Sequence, residues 1–222
     1  MNSSKKKRLI LLDIDDTLFR CDTFVALIKH YLSDNFFKLI FLPRLIFLAA
    51  LFKLGAVTNV TLKKSALMIL SGEKRAALVK RANRLIDKLF SKKLNRAVSE
   101  AVRKMAASGL YDIIVISASP AFYIDLIGRR INAAHTIATH IKFDENDALQ
   151  AELIGENCKH EEKITRLKQV INLNDYDLHN SYAFSDSITD LPMFELVGRP
   201  VAVTPDFRLH SHAVQNGYLI IN

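Results

Sequence analysis

The chain has 222 residues, enough for one well-buried core and a smaller appended unit, and half of them are apolar with 24% charged, which excludes a disordered or fibrous chain. Its two cysteines, Cys21 and Cys158, stand far apart, so neither a disulfide framework nor a cysteine metal site is expected, and a reducing cytoplasm fits. The net charge of +8 is uneven: residues 1–110 hold 22 Lys and Arg against 8 Asp and Glu, whereas residues 111–222 hold 9 against 15. Such asymmetry points to one part facing an anionic surface while the rest does something else.

Met1 to Arg8 has the basic flank of a signal peptide. The apolar run behind it, Leu9 to Leu12, stops at once on Asp13, Asp15 and Asp16, so no cleaved or inserted leader is expected. Arg8 to Leu12 instead predicts a buried strand that ends on carboxylates. Residues 21–105 lack strand signals and carry helical periodicities. Between Glu73 and Phe90 an apolar stripe of Leu78, Ala82, Leu85, Ile86 and Leu89 is flanked by basic residues. Leu94, Val98, Ala101, Val102 and Met105 make a second stripe, and Gly109 is placed to end that helix.

Downstream, Asp112 to Ile116 predicts a second buried strand that runs into Ser117-Ala118-Ser119-Pro120. Thr136 to Phe143 and Leu149 to Ile154 flank Asp144-Glu145-Asn146-Asp147 as a hairpin. A helix is expected from about His160, carrying Ile164, Leu167 and Ile171. Tyr182 to Phe184 then runs into Ser185-Asp186-Ser187, and short strands at Val201 to Val203 and Leu219 to Ile221 close the chain. Continuous apolar runs alternating with helices predict an α/β fold, a Rossmann-like doubly wound parallel sheet with an inserted all-helical cap domain. The core takes residues 1–20 and 106–222, and the cap takes residues 21–105. Ligands of open parallel sheets sit beyond the carboxyl ends of the strands, so the polar run-ends should meet in one crevice.

Asp13, Asp15 and Asp16 lie within four residues of one another, and carboxylates so crowded normally share a cation. A hard ion such as Mg²⁺ takes carboxylate, carbonyl, water and phosphate oxygens, and Asp186 and Asp190 at another strand end could complete and support its shell. A cluster of helix-capping or solvated carboxylates is the alternative.

Asp13-Ile14-Asp15-Asp16-Thr17-Leu18 resembles the first motif of the haloacid dehalogenase superfamily, Asp-x-Asp-x-Thr after an apolar strand. Ser117 resembles its second motif, Lys163 its third, and Ser185-Asp186-Ser187-Ile188-Thr189-Asp190 its fourth, in the family's order over nearly the whole chain. The resemblance implies a Mg²⁺-dependent phosphatase. Asp13 would be the nucleophile that becomes phosphorylated, and Asp15 the acid that protonates the leaving alcohol and later activates water. The carboxylates of Asp13 and Asp186 and the backbone carbonyl of Asp15 would hold the metal. Ser117, the backbone N–H of Ala118 and Lys163 would hold the phosphoryl group. Asp190, Thr17 and Ser119 would support this set, with Asp190 in contact with Lys163. Taken singly, Lys163 beside Glu161 and Glu162 reads as a solvated helix position; its spacing after Asn157-Cys158 favours the motif.

The helical insertion resembles the cap of the phosphoserine-phosphatase-like branch, with Asp22 at its opening as a substrate-facing residue. Arg20-Cys21-Asp22-Thr23-Phe24, Ser117-Ala118-Ser119-Pro120, Cys158 to Lys163 and Val203-Thr204-Pro205 resemble a group there that includes bacterial phosphatidylglycerophosphate phosphatases. Phosphoserine phosphatases carry Ser-Gly-Gly at the second motif and Glu at the position of Asp22, which turns the expectation from phosphoserine towards a lipid phosphate. Asp16 and His160 stand where the group commonly has Gly.

The greasiest stretch, Phe36 to Lys53, is broken by Pro43 and Arg44 and is no membrane span. It fits the centre of the cap or a dimer contact, and equally a membrane surface. Residues 22–104 carry 17 basic against 5 acidic side chains, which suits an anionic bilayer, so peripheral contact of the cap with the inner face of the cell membrane stands open beside those two readings. The charges lack interleaved aromatics, so no nucleic acid is expected; no Gly-rich phosphate loop suggests a kinase, and the seven histidines show no metal spacing. A phosphatase of a soluble metabolite such as phosphoserine, and an inactive membrane-binding module on the same fold, stand as the alternatives. The oligomeric state is left open.

Overall fold

The computed structural model describes residues 6–222. Residues 1–5 of the basic opening lie outside the described residues; Lys7 bonds Asp112 at 2.7 Å and Arg8 already opens the first strand. In chain order the strands are β1 (Arg8–Leu12), β2 (Tyr111–Pro120), β3 (His135–Thr139), β4 (Ile141–Phe143), β5 (Leu149–Leu153), β6 (Tyr182–Ser185), β7 (Arg199–Val203) and β8 (Leu219–Ile221). The helices are α1 (Thr23–Asp34), α2 (Leu42–Lys53), α3 (Asn59–Leu70), α4 (Arg75–Lys92), α5 (Arg96–Ala107), α6 (Ala121–Arg130), α7 (Glu161–Val170), α8 (Leu191–Glu195) and α9 (Phe207–Asn216).

A six-stranded sheet in the order β3-β2-β1-β6-β7-β8, parallel throughout, forms the centre of the molecule. Alternate residues of each strand enter different cores, because successive side chains point to opposite faces. Ile10, Leu12, Ile113, Val115, Phe184, Val201 and Val203 face the side covered by the inserted helices and α6. Leu9, Leu11, Ile114, Ile116, Ala183 and Ala202 face α7, α8 and α9. Burial on both faces is why these segments read as unbroken apolar runs.

β1 lies between β2 and β6, and the chain leaves it in both directions, which makes its carboxyl end the switch point of the sheet. Leu12 is in register with Val115 on one side and Phe184 on the other, so Asp13 emerges level with Ser185 and Ile116, and Ser117 follows one residue further on.

The five apolar residues expected on one stripe of α4 are its buried ones. Gly109 takes φ +70° just beyond α5, the left-handed conformation that ends a helix at least cost in glycine. Two expectations need correction. β2 does not stop at Ile116 but continues through the polar residues to Pro120, where a register shift keeps it paired with Thr139. Thr136 to Phe143 is not one hairpin arm: His135–Thr139 joins the main sheet beside β2, and only Ile141–Phe143 pairs with β5. Alternation is alike in both pieces, so sequence alone could not mark the switch at His140. The hairpin braces the inserted helices: Gly72 N–H donates to the Leu149 carbonyl, Leu149 N–H donates to the Glu73 carbonyl, and Arg75 pairs with Asp147 at 2.8 Å.

No residue of Phe36–Phe41 or α2 is fully buried, so this stretch is not the buried centre of the cap. Leu42 and Leu45 turn inwards, while Phe37 and Ile40 are 80% and 78% exposed and Ile46 and Phe47 are 61% and 63% exposed.

Asp16 and His160 both have φ +53°, and His160 pairs it with ψ −133°, a region that disfavours any side chain. Glycine at either place would be relaxed, which gives a physical reason for the glycines of the resembling group. His160 is exposed, so His160→Gly removes strain with little loss of packing. We expect it to raise unfolding free energy by about 1 kcal/mol, read as a higher urea midpoint.

Candidate active site

The crevice at the carboxyl end of β1 gathers most of the residues singled out in the sequence. Asp13 follows β1 directly and is 6% exposed, with its N–H donating to the Phe184 carbonyl at 3.0 Å. Lys163, in the first turn of α7, is 2% exposed and points its ammonium at two carboxylates. It donates to Asp13 Oδ1 at 2.8 Å and to Asp190 Oδ2 at 2.7 Å. Asp190 also accepts from Ser185 Oγ at 2.6 Å. Burial pushes the Lys163 ammonium down, but Asp13 and Asp190 outweigh it and hold it above the ordinary lysine value.

Asp15 is fixed by hydrogen bonds from both sides of the crevice. Its Oδ1 accepts from the N–H and the hydroxyl of Thr23, at 2.6 and 2.5 Å. Its Oδ2 accepts from Ser119 Oγ at 2.6 Å and from Ser117 Oγ at 3.4 Å. Ser117 is fully buried and its Oγ also accepts from the Ser119 N–H at 3.0 Å, so the polar end of β2 is tied to Asp15. Asp186 lies half-buried beyond β6, with Thr17 Oγ1 donating to it at 3.4 Å. Asp22 caps α1 by accepting from the Val25 N–H at 2.8 Å. It sits at the rim of a cavity beside Asp15, and desolvation by the walls followed by the Asp15 charge pushes its carboxyl up to about 6.

Sequence reading missed several residues of this site. Thr23 belongs to the Arg20–Phe24 stretch that resembles a cap entry but has no assigned role there, and it is buried between Asp15 and the Tyr123 hydroxyl at 2.9 Å. Asp206 braces the Asp186 loop: its N–H donates to the Asp186 carbonyl at 2.8 Å, and its Oδ2 accepts from the Ile188 N–H at 3.0 Å and Ser187 Oγ at 3.2 Å. Lys63 of α3 is 9% exposed and donates to the Ala118 carbonyl at 2.5 Å and to Asn157 Oδ1. Burial pushes its ammonium down to about 8. Its signal was its helical phase, since Ala66, Leu67 and Leu70 lie three, four and seven residues on and are all buried.

Acid outweighs base around Asp13. Burial pushes the Asp13 carboxyl well above the carboxylate range; Lys163 opposes this, and Asp190, Asp15 and Asp186 reinforce it. Burial, then Asp190 and Asp16, push Asp186 up to about 7. A lone lysine leaves this cluster short of positive charge, as expected of carboxylates that receive a cation. Among the described residues no three His, Cys, Asp or Glu side chains converge as a ready-made cage. The donor set therefore suits an ion such as Mg²⁺, which takes one or two carboxylates and completes its shell with water and phosphate oxygens.

Residues 10–195 match the family of haloacid dehalogenase-like hydrolases, and the chain belongs to that family. It is 32% identical over 111 residues to the inhibition of morphological differentiation protein of Streptomyces azureus, a match covering 50% of this chain and 40% of that protein. The chain thus spans less than half the length of that relative. It is 24% identical to phosphoserine phosphatase SerB1 of Mycobacterium tuberculosis over 212 residues, 94% of this chain and 68% of the relative. The fold superposes on a protein of unknown function from Bordetella pertussis Tohama I with a TM-score of 0.82 at 23% identity, covering 98% of this chain and 99% of the other.

Removing the lysine from a buried Asp–Lys–Asp cluster leaves two carboxylates without their cation. Lys163→Met should cost about 3–5 kcal/mol in urea denaturation followed in a metal chelator. Asp190→Asn combined with it should cost less than the sum of the two single changes, because both act on one network.

Proposed function

We propose that the protein is a Mg²⁺-dependent phosphomonoesterase that works through a phosphorylated Asp13. The observation that carries this is the buried Asp13–Lys163–Asp190 cluster at the switch point of the sheet, with Asp15 and Asp186 around it. Lys163 holds Asp13 in place and offsets the negative charge that a phosphoryl group brings towards a carboxylate. Asp13 attacks phosphorus and the bond to the leaving oxygen breaks, leaving an acyl phosphate. Asp15, which lines the neighbouring cavity, gives a proton to the leaving oxygen and then takes one from the water that cleaves the acyl phosphate. Ser117 and the Ala118 N–H bind the phosphoryl oxygens, with Ser119 fixing Asp15 and Thr17 and Asp190 supporting the metal side. The Asp13 and Asp186 carboxylates and the Asp15 carbonyl would hold Mg²⁺, which when bound would supply positive charge between nucleophile and phosphate.

The leaving group we favour is a lipid, as in phosphatidylglycerophosphate. Two features support it. The cavity beside Asp15 has a volume of about 450 Å³ and is lined largely by apolar side chains. The segment next to it exposes Phe36, Phe37, Ile40, Ile46 and Phe47, while residues 36–54 carry three basic and no acidic side chains. Among the described residues no helix is long and apolar enough to cross a membrane, so contact would be peripheral, through this face on an anionic bilayer. A soluble phosphoserine-like substrate is the second reading, favoured by the near-full-length match to phosphoserine phosphatase SerB1.

Phosphate release from phosphatidylglycerophosphate in mixed micelles should require Mg²⁺, stop on chelation, and fall at least about 10³-fold in Asp13→Asn. Rapid release from phosphoserine with none from the lipid would select the second reading. Sedimentation with anionic liposomes should exceed that with neutral ones, and should drop in a Phe37→Ser, Ile40→Ser, Phe47→Ser triple variant. Equal recovery in the supernatant with and without anionic lipid removes the membrane contact.

A further inference from the structure

Lys63 is a buried cation. Among the described residues no carboxylate lies within ion-pair distance of it. An ammonium has three N–H donors, and the two bonds it makes here, to the Ala118 carbonyl and Asn157 Oδ1, go to neutral oxygens. An uncompensated charge taken out of water is costly unless something pairs with it. Lys63 lines the cavity between the inserted helices and the sheet, in which Asp15 and Ser119 form the inner end. Phe24, Ile28, Leu42, Leu45, Leu62 and Ala66 form apolar walls. Two more lysines, Lys29 and Lys159, line the same cavity, so it holds three lysines against Asp15 and Asp22.

Asn59, one turn before Lys63 on α3, accepts from Asn157 Nδ2 at 3.1 Å. Thr139 Oγ1 donates to the same Ala118 carbonyl at 2.6 Å and bonds the same Asn157 Oδ1 at 3.0 Å. The ammonium is therefore held in a fixed place beside residues 117–119 of β2 rather than swinging on a free stem. A preorganised cation with one donor to spare, at the seam of an apolar cavity and a phosphoryl site, is a receptor for an anion attached to the leaving group.

We propose that this cavity takes a phosphomonoester whose leaving group carries both an apolar body and a second anion, and that Lys63 binds that anion. This rests on the phosphatase reading and names the chemistry of its leaving group. The second anion could be the phosphodiester of a lipid headgroup or the carboxylate of a soluble metabolite; the apolar walls favour the amphiphile.

Binding can be measured apart from turnover. Decylphosphoglycerol, which has tail and phosphodiester but no phosphomonoester, should bind wild type in calorimetry, and Lys63→Met should weaken it at least tenfold, with Lys63→Arg recovering much of the loss. Equal affinity for wild type and Lys63→Met, or no binding to wild type, overturns the inference without touching the phosphatase reading. In turnover, four probes separate the features: glycerol 3-phosphate, decyl phosphate, phosphoserine and the phosphomonoester of decylphosphoglycerol. The last should be the best substrate, and Lys63→Met should cost kcat/KM at least tenfold more on anion-bearing probes than on their anion-free counterparts, chiefly through KM. Equal loss on all four means Lys63 serves the transferred phosphate or the end of β2, and the inference fails. Phosphoserine as the best substrate transfers the second anion to a soluble metabolite and overturns the apolar half. Wild-type inactivity on all four overturns the phosphatase reading, while the calorimetry still decides the anion site.

Discussion

A single buried ammonium between two carboxylates, Lys163 between Asp13 and Asp190, is the interaction on which the site depends. These groups are brought together from three parts of the chain: the end of β1, the first turn of α7 and the turn beyond β6. Each would be costly to bury alone, and their mutual attraction ties β1, β6 and α7 into one geometry. The cluster nevertheless remains acidic overall, which is what the proposed binding of a divalent cation, and with it a phosphate, requires.

Second in importance is the link between the inserted helices and the sheet. Thr23 at the start of α1 holds Asp15, and Lys63 and Asn59 of α3 hold Ala118 of β2 and Asn157. The position of Asp15 is thereby coupled to the wall of the cavity that would receive the leaving group. The same insertion has two apolar faces in α2: Leu42, Leu45 and Ala49 line the cavity, while Ile46 and Phe47 look outwards. A helix apolar nearly all round is thus accounted for without full burial, one face lining a cavity and the other exposed.

Much of the sheet was legible because buried parallel strands leave continuous apolar runs, and because Asp13 and Asp186 follow directly where β1 and β6 end, while Ser117 ends the apolar part of β2. The Asp13–Lys163 contact spans 150 positions in sequence and became visible only through the spacing of a family motif. What sequence could not give was the meaning of residues whose role comes from packing. Lys63 and Lys64 are adjacent and chemically alike, but helical phase buries the first and exposes the second. Thr23 and Asp206 act through hydrogen bonds to other residues of the site, and nothing in their own neighbourhood announces it. The division of residues 135–143 between two sheets was hidden for a related reason, since strand alternation does not record which partner a strand will pair with.

The claim at the centre of this account is that Asp13 becomes covalently phosphorylated. Rapid acid quench of the enzyme with substrate labelled in the phosphomonoester, followed by peptide mapping, tests it most directly. The account predicts a transient label on the peptide containing Asp13, released by hydroxylamine as an acyl phosphate should be, and longer-lived in Asp15→Asn, which lacks the base for the second step. Turnover with no labelled peptide at any quench time, or label on another residue, would contradict it.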